Sequence, residues 1–442
     1  MVELRPFRAF HPDPASGDPR RLVCPVYDTM TDDELARYAS ADPNNAAGFV
    51  PRPRSLSLAD FLERASGNLR RALASGAFRQ DPTPAFYVYG IRYVPPDDIR
   101  EALPADERRP EYLLLGLVGA LPFERLAHGL VALHERTFAD RVAERVALTE
   151  ATGMSFAPIL AGYHAADHRL NDRLEGLLGI DRRRLAFEGA RPPVVEATLG
   201  ETTHRLWRID DPSELEALAA ATAPLRLLIL DGHHRFTAAA RRFYDGRPSA
   251  PLVMLVDGED RALRLLPWHR VLPARARAFP ALIEAARLHF DAVLSMPGPL
   301  TAEAAIERLH RMRASGVRGF VAASRDAAYE VHGPASEDAG ADFDLLHGFL
   351  DDILELDPED LQFVRSPRRA LELARGSGPD DAGTAILLPG LSARGVEQRA
   401  FERGQVMAEK STMFLPKVAE GVLFASAGEA ARGPPSRAGP TG

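Results

Sequence analysis

Residues 231–235, with the sequence Asp-Gly-His-His-Arg, have the types and spacing most suited to chemistry in this 442-residue chain. The preceding residues 225–230 are apolar except for Arg226, which is typical of a strand that is buried on both faces. Residues 236–243 have the pattern of a helix. The motif is therefore predicted to form a strand-to-helix turn, in which Gly232 allows close approach of the backbone to a ligand.

Such a turn suits an anionic group, because the first N–H groups of a helix and the helix dipole both favour negative charge. Arg235 adds a planar fork suited to phosphate or carboxylate, and Asp231 could hold a metal ion or accept a proton. The alternative is an Asp cap followed by two surface histidines, His233 and His234, and a salt-bridged Arg. The combination at one junction favours function. A zinc site is not favoured, because adjacent helical residues point about 100° apart whereas a zinc pair needs positions i and i+4.

A second candidate is the segment His-Glu-Arg-Thr-Phe at residues 134–138. It resembles the start of a zinc-protease helix, but Phe138 stands where the second histidine ligand is required, so that interpretation fails. His134 and Glu135 could instead handle a proton, or the segment could be a polar loop that leads into a helix. The sequence leaves these two interpretations open.

A third candidate is the segment 410–417, in which Lys410, Ser411, Thr412 and Lys417 flank an apolar run. A strand here would bring cations and hydroxyls to a phosphate. The alternative is a solvated strand edge, where lysine is common.

Weaker candidates are Tyr27 and Asp28 at a proline-bounded turn, and His269 and Arg270 after a tryptophan. His269 by itself is more typical of a packed histidine than of a catalytic one. The sequence contains no Walker A loop, no Gly-x-Gly-x-x-Gly fingerprint, no Gly-x-Ser-x-Gly elbow and no Cys-x-x-Cys pair, so P-loop, dinucleotide and hydrolase functions have no support.

Composition narrows the class of protein. Hydrophobic residues make up 45% of the chain, charged residues 26%, and the net charge is -8. An acidic chain without a basic block is a poor nucleic-acid binder, and the single Cys24 fits a reducing compartment. The apolar stretch 113–123 is broken by Pro122 and is too short to span a bilayer, and the start lacks the apolar core of a signal peptide. We expect a soluble, cytoplasmic protein with a small-molecule substrate and no nucleic-acid or membrane partner; the oligomeric state is not predicted.

Predicted elements indicate an α/β (α+β) fold with a mixed sheet and flanking helices. Strands are predicted at 22–28, 85–93, 112–118, 157–160, 194–199, 203–209 and 225–230. Helices are predicted at 31–38, 58–73, 141–152 and from Ser213 onward. Thr31 with Glu34, and Ser213 with Glu216, have the spacing of a capping box. After about Pro273, helices are predicted at 281–288, 301–314 and 345–354, and strands at 319–322, 328–331 and 384–388. We expect a core at 1–275, a C-terminal α/β subdomain at 276–424 whose final segment packs back on the core, and a disordered tail at 425–442.

Taken together, the motifs resemble the bacterial and archaeal proteins of domain-of-unknown-function family 1015. The family signature corresponds here to Pro25-Val26-Tyr27-Asp28, His134-Glu135-Arg136-Thr137, residues 231–235, His269-Arg270 and residues 410–417. The resemblance is ordered and extends from about Arg5 to Phe424. Two departures are Val26 in place of a second proline, and Ala408-Glu409 where the family has prolines before Lys410.

The family is distantly similar to the ParB and sulfiredoxin superfamily, which includes free-serine kinases, mainly over the turn from Gly232 to Arg235. In those kinases a Gly-x-x-Arg turn holds nucleotide phosphates. The resemblance implies a ParB/sulfiredoxin-like core. Reductase chemistry has no support, because His233 and His234 stand where sulfiredoxin has a cysteine. The catalytic Glu of the serine kinases has Glu135 as its candidate counterpart.

The function implied is a phosphotransferase that acts on a small hydroxylated metabolite such as serine, with a nucleotide (ATP or ADP) and Mg²⁺. Phosphate-binding residues would be Gly232, Arg235, Lys410, Ser411, Thr412 and Lys417. Asp231 would bind Mg²⁺ or the substrate hydroxyl, and His134, Glu135, His233 or His234 would take part in catalysis. The alternatives are a phosphatase for a metabolite such as phosphoserine, with a phosphohistidine intermediate, and a non-catalytic nucleotide-binding regulator.

Overall fold

In the computed structural model the chain is described over residues 1–26, 30–103, 108–124, 126, 129–164, 169–182, 184–185, 190–273, 278–334, 341–356, 361–376, 383–408 and 410–432. The strands are β1 (Phe10–Pro12), β2 (Phe78–Gln80), β3 (Phe86–Tyr93), β4 (Tyr112–Ala120), β5 (Val131–Leu133), β6 (Met154–Phe156), β7 (Ile159–Tyr163), β8 (Val195–Leu199), β9 (Thr202–Ile209), β10 (Leu227–Asp231), β11 (Leu252–Asp257), β12 (Arg264–Pro267), β13 (His269–Leu272), β14 (Ala292–Met296), β15 (Gly319–Ala323), β16 (Ala328–His332), β17 (Gln362–Val364), β18 (Thr384–Leu387), β19 (Thr412–Leu415) and β20 (Phe424–Ser426). The helices are α1 (Asp32–Ala41), α2 (Leu58–Ala74), α3 (Asp97–Ala102), α4 (Ala139–Thr152), α5 (Arg169–Leu178), α6 (Pro212–Thr222), α7 (His233–Tyr244), α8 (Phe279–His289), α9 (Ala302–Ala314), α10 (Ala341–Gly348), α11 (Pro367–Arg375), α12 (Ala393–Glu402) and α13 (Ala427–Arg432). None of the described helices is long and apolar enough to cross a membrane.

A mixed sheet forms the centre of the molecule. Among the described residues it has eight strands in the order β5-β10-β7-β11-β4-β3-β9-β8. β10 runs parallel to β5 and β11 runs parallel to β7, whereas the other neighbours are antiparallel. The predicted α+β fold with a mixed sheet is therefore confirmed.

β10 shows why this sheet is buried on both faces. Leu228 and Leu230 pack into the hydrophobic core on one face, and Leu227 and Ile229 pack into the core on the other. The second core is closed by α5, α6 and α7, whose apolar side chains belong to the same cluster. Because alternate residues of a strand point to opposite faces, a strand between two cores must be apolar on both faces, as β10 is from Leu227 to Leu230 before it ends at the half-buried Asp231.

The C-terminal half builds a second, antiparallel sheet in the order β14-β16-β15-β18-β13-β17 among the described residues. Side chains of α9 and α11 pack on one face, and side chains of α8 and α10 join the core on the other. This sheet begins with β13, before the boundary predicted at residue 275.

The chain then returns to the N-terminal region. β19 pairs with β12, and β20 pairs with both β1 and β6. The expected disordered tail from residue 425 is wrong for 425–432, because Ala425 completes β20 and Ala430 on α13 is buried in the core. Residues 433–442 lie outside the described residues.

Two local predictions also differ from the structure. In place of a strand at 22–28, Cys24 makes an isolated bridge to Glu420, and residues 27–29 lie outside the described residues. The predicted Ser213 cap is wrong, because Asp211 caps α6 by accepting hydrogen bonds from the Ser213 and Glu214 N–H groups. Pro212, which directly follows Asp211, occupies the first helical position, and its fixed φ angle suits that position.

Candidate functional site

The Asp-Gly-His-His-Arg motif is the strand-to-helix turn between β10 and α7. Asp231 ends the strand, and Gly232 precedes the helix with a φ of 92°. A Cβ atom added to Gly232 would lie 3.0 Å from Nη2 of Arg235. Both the left-handed backbone and this close contact explain why the position needs glycine.

His134 lies beside this turn because of how two strands pair. β5 ends at Leu133 and runs parallel to β10, with Leu133 opposite Ile229. The carboxyl ends of neighbouring parallel strands open at the same edge of a sheet, where ligands commonly bind in α/β proteins. His134 and Asp231 therefore leave the sheet at one place.

The Asp231 carboxylate is bound by two cations. Lys417 Nζ donates to Oδ1, and Arg235 Nη2 donates to Oδ2 at 3.2 Å. Burial by itself would raise the pKa of Asp231, but the charges of Lys417 and Arg235 outweigh it and hold that pKa well below its usual range. Asp231 is therefore an ionised acceptor at neutral pH and a poor proton acceptor.

Arg235 is tied to the protein as well as to Asp231. Its Nη1 donates to the carbonyl oxygens of Ala157 at 2.9 Å and Pro158 at 3.2 Å. These bonds hold the start of α7 against the turn between β6 and β7. A phosphate at Arg235 would have to compete with oxygens that are already in place, so the structure gives this residue a clamping role in addition to the expected one.

His134 is the centre of a buried hydrogen-bonded chain, with a relative exposure of 1%. Its Nδ1 lies 2.7 Å from the Ile229 carbonyl oxygen and 3.2 Å from Nε2 of His233, and its Nε2 lies 2.7 Å from the Thr412 hydroxyl. Burial lowers the pKa of His134 to about 4, so the ring is neutral at pH 7. A carbonyl only accepts, so Nδ1 carries the proton and Nε2 accepts from the Thr412 hydroxyl.

Glu135 continues this chain. Its Oε1 lies 2.6 Å from the Thr412 backbone nitrogen, which donates to it, and 2.9 Å from the Thr412 hydroxyl oxygen. The hydroxyl has one proton, so when it donates to His134 the contact with Glu135 is satisfied by a protonated carboxyl. Burial raises the pKa of Glu135, which favours that state. The Thr412 hydroxyl therefore links His134 and Glu135 in one hydrogen-bonded chain.

Backbone pairing brings these residues to the C-terminal segment. Met407 N–H donates to the His134 carbonyl at 2.8 Å, and Arg136 N–H donates to the Met407 carbonyl at 3.1 Å. Glu135 and Met407 form a parallel bridge. The His-Glu-Arg-Thr segment is therefore a loop that leads into α4, as one of the two interpretations predicts, and its backbone pairs with the segment just before β19.

His234 lies at the edge of the same cluster. Its Nε2 accepts from the Phe138 backbone N–H at 3.1 Å, and its ring stacks on the Phe138 ring with centroids 6.0 Å apart. Burial and then the charge of Lys410 lower the pKa of His234 to about 4. Burial also lowers the pKa of His233 well below its usual value, and the electrostatic effect of His134 lowers this pKa further. Both rings are therefore neutral at pH 7.

Lys410 is positioned by Trp268 and Arg270. Its Nζ lies 5.2 Å from the centre of the Trp268 ring, and the Trp268 Nε1–H donates to the Thr412 carbonyl at 3.0 Å. The fully buried Arg270 donates to the Lys410 carbonyl at 3.3 Å. Its Nη2 also contacts His347 at 2.9 Å, a residue that the sequence analysis missed and that no motif indicates.

Two predicted residues face the interior. His269 is buried, burial lowers its pKa to about 3, and its Nδ1 accepts from the Leu388 N–H at 3.2 Å. The hydroxyl of the buried Ser411 donates to the Ala408 carbonyl at 2.8 Å. Both are held by the backbone. Tyr27 and Asp28 lie outside the described residues.

The structure thus brings most of the predicted residues into one cluster, which we call the Asp231 cluster: His134, Glu135, Asp231, Gly232, His233, His234, Arg235, Lys410, Thr412 and Lys417. Lys410 and Lys417 are the only two lysines in the sequence, so both ammonium side chains of the chain belong to it.

The donor set does not match a dedicated metal site. Among the described residues no group of three or more His, Cys, Asp and Glu side chains could hold a metal ion. Both oxygens of Asp231 accept from cations, whereas Mg²⁺ needs an oxygen-rich shell. The described side chains therefore do not fit Mg²⁺ in the arrangement seen here.

Comparison with solved structures finds distant likenesses. A free serine kinase in complex with AMP is 12% identical, with 68% of this chain and 90% of that chain covered and a TM-score of 0.39. A conserved hypothetical protein from Pyrococcus furiosus is 12% identical, with 64% and 87% covered and a TM-score of 0.34. SbnI with C-terminal truncation from Staphylococcus aureus is 12% identical, with 68% and 84% covered and a TM-score of 0.34.

Among the curated proteins none matches this chain. The model of one protein family, described as a protein of unknown function (DUF1015), matches residues 4–339, which include the motifs around His134 and Asp231. This chain belongs to the DUF1015 family.

Proposed function

We propose that this chain is a phosphotransferase that moves a phosphoryl group between a nucleotide and a small hydroxylated metabolite, with serine as the first candidate. The observation that carries the proposal is the Asp231 cluster. It combines both lysines of the chain, the Glu135 carboxyl group, whose pKa is raised by burial, and the start of α7 at His233. Phosphoryl transfer needs charge neutralisation, positioning and one proton acceptor, and these groups can supply all three.

The roles follow from the contacts. Lys410 and Lys417 neutralise phosphate charge, and Asp231 orients the Lys417 ammonium. Glu135 must first lose its own proton; its raised pKa then makes the carboxylate a stronger base, which takes the proton of the attacking hydroxyl, and Thr412 links it to His134. The hydroxyl oxygen forms the new bond to phosphorus while the bond to the leaving phosphate oxygen of the nucleotide breaks. The nucleotide leaves with one phosphate fewer, and Glu135 retains the proton until it is lost to solvent.

Three further features belong to this proposal. The nucleotide is proposed from the cations of the Asp231 cluster. A ParB/sulfiredoxin-like core is proposed from the Gly232-to-Arg235 turn. Mg²⁺ would enter with the nucleotide phosphates, since the described side chains alone do not fit it.

The test is to incubate the protein and Mg²⁺ with ATP, ADP or CTP, each with and without serine, and to follow phosphoserine and the nucleotide by ³¹P NMR. We expect transfer that depends on both substrates. Release of phosphate without transfer, or from phosphoserine, would identify a phosphatase. Binding without turnover would identify a regulator.

Lysine chemistry gives a second measurement. Reductive methylation with ¹³C-formaldehyde labels two lysine amines in this chain, besides the N-terminus. We expect both lysine NMR signals to shift when nucleotide is added. If neither shifts at saturating nucleotide, the Asp231 cluster is not the phosphate site.

A further inference from the structure

A cavity of about 320 Å³ lies between β12 and the C-terminal sheet. Its wall comes from α3, β12, β13, the second half of α9, and the segments at the start of α11 and α12. Of the predicted site residues that the structure describes, only His269 lines it. Its neighbour Arg270 contacts Lys410 instead, so β13 separates the cavity from the Asp231 cluster.

The interior of the cavity is apolar. Buried leucines supply much of its wall: Leu263, Leu266, Leu309, Leu388 and Leu391. Small-molecule sites in proteins are typically lined by apolar side chains, with a few charged groups that fix orientation, and range upward from about 300 Å³. The cavity is therefore at the small end of ligand-sized spaces.

Cationic side chains stand around this apolar space. Arg313, Arg365 and Arg394 line it and are exposed to solvent. Within the part of the chain that the structure describes, none of the three forms an ion pair with a carboxylate. Glu259 is the one acidic residue among the described residues of the wall, and it pairs with His164 at 3.5 Å. A positive cluster of this kind opposes the net charge of -8 on the chain.

Two helices begin at the same wall. Pro367 is the first residue of α11 and Ala393 is the first residue of α12, and both line the cavity. The partial positive charge at the start of each helix adds to that of the guanidinium groups. The positive groups therefore come from several separate elements that surround one space.

We propose that this cavity binds a small amphiphilic anion, an organic phosphate or carboxylate whose apolar or aromatic part occupies the leucine-lined interior. The anionic group lies against Arg313, Arg365 and Arg394, whose planar forks suit either oxyanion. The proposal does not depend on the phosphotransferase activity, because no residue of the Asp231 cluster takes part in it.

The test uses 8-anilinonaphthalene-1-sulfonate, a fluorescent aromatic anion, with the full chain. We expect saturable binding at one site. The double variant Arg365→Ala/Arg394→Ala should weaken it at least tenfold, since each guanidinium contributes a charge-assisted contact. The control is Arg70→Ala, an exposed arginine on α2 outside the cavity wall, which should bind like the wild type.

Competition defines the ligand class. 1-Naphthyl phosphate and 1-naphthoate should displace the dye, and the ratio of their inhibition constants shows whether the cavity prefers phosphate or carboxylate. Neutral 1-naphthol should compete at least tenfold less well. Ile306→Trp, which fills the cavity from α9, should abolish binding of all four compounds. The unfolding midpoint of every variant must match that of the wild type. If the double alanine variant fails this check, Arg365→Lys/Arg394→Lys replaces it and is expected to retain part of the affinity.

Three results would overturn the proposal: no saturable dye binding, equal affinity in the arginine variants, or equal competition by naphthol and the two anions. None of these would affect the phosphotransferase proposal, which is tested at Lys410, Lys417 and Glu135.

Discussion

Replacing Lys417 by Met should show whether the Asp231 cluster forms as described. Met keeps the length and the apolar stem of lysine but removes the ammonium that donates to Asp231 Oδ1. The side chains of Lys417 and Asp231 retain only 14% and 17% exposure. The variant therefore leaves a carboxylate that is mostly out of water with Arg235 as its remaining partner.

The magnitude follows from that burial. Removing one partner of a buried ion pair costs about 3–5 kcal/mol. Because Arg235 still compensates one oxygen, we expect about 2–3 kcal/mol for Lys417→Met. Asp231→Asn leaves two cations without their carboxylate and should cost about 3–5 kcal/mol. The double variant should cost less than the sum by about 1–3 kcal/mol, because the two residues interact directly.

The assay is urea unfolding at pH 7 for the wild type, both single variants and the double variant. Arg369→Met is the matched control, because Arg369 pairs with Glu372 at the surface with 59% and 49% exposure and should cost less than about 0.5 kcal/mol. If Lys417→Met costs no more than this control and shows no coupling to Asp231→Asn, the pair is not formed in solution and the site geometry is refuted.

Three further predictions concern the same region. Glu135→Gln should lower the rate of phosphoryl transfer at least about 100-fold and leave nucleotide affinity within about twofold, with the exposed Glu216→Gln as control; an unchanged kcat would remove Glu135 from catalysis. Burial lowers the pKa of His134 and His234 to about 4, whereas histidine in an unfolded chain titrates near about 6.5. Because the unfolded state then binds more protons, the free energy of unfolding should fall as the pH drops from about 6.5 to 4. Urea midpoints measured across that range should show this fall, and a flat profile would contradict the burial of the two rings. Gly232→Ala should cost at least about 1 kcal/mol more than Gly153→Ala, since both have positive φ but only Gly232 lies against Arg235; equal unfolding midpoints would show that this contact is absent.

Sequence reasoning succeeded where structure is decided locally. The Thr31–Glu34 capping box is present as predicted, and β10 follows from an apolar run between polar ends. Sequence reasoning failed where two neighbouring residues could each cap a helix, and where an apolar run was short. Asp211 caps α6 in place of Ser213. β11, buried throughout, was not predicted, because a run of five apolar residues before Asp257 does not by itself distinguish a strand from a helix.

The site was predictable in its residues but not in their contacts. The parallel pairing of β5 with β10 joins residues about 95 positions apart, and no local pattern specifies it. The oxygens that hold Arg235 belong to the backbone of Ala157 and Pro158, so no side-chain motif could reveal that Arg235 is already engaged.

One signal for the site lies in the composition and concerns lysine. Of the 54 basic Lys and Arg residues only Lys410 and Lys417 are lysine, so arginine supplies the positive charge everywhere else. The two side chains are not equivalent, because an ammonium is a compact charge on a flexible stem, whereas a guanidinium is a broad planar group that needs room for its fork. Lys417 lies two residues beyond the end of β19. Its ammonium donates to Oδ1 of Asp231, whereas Arg235 donates to Oδ2. The compact ammonium needs less room beside the Arg235 fork than a second guanidinium would, which gives a physical reason for lysine at this position in a chain that otherwise uses arginine.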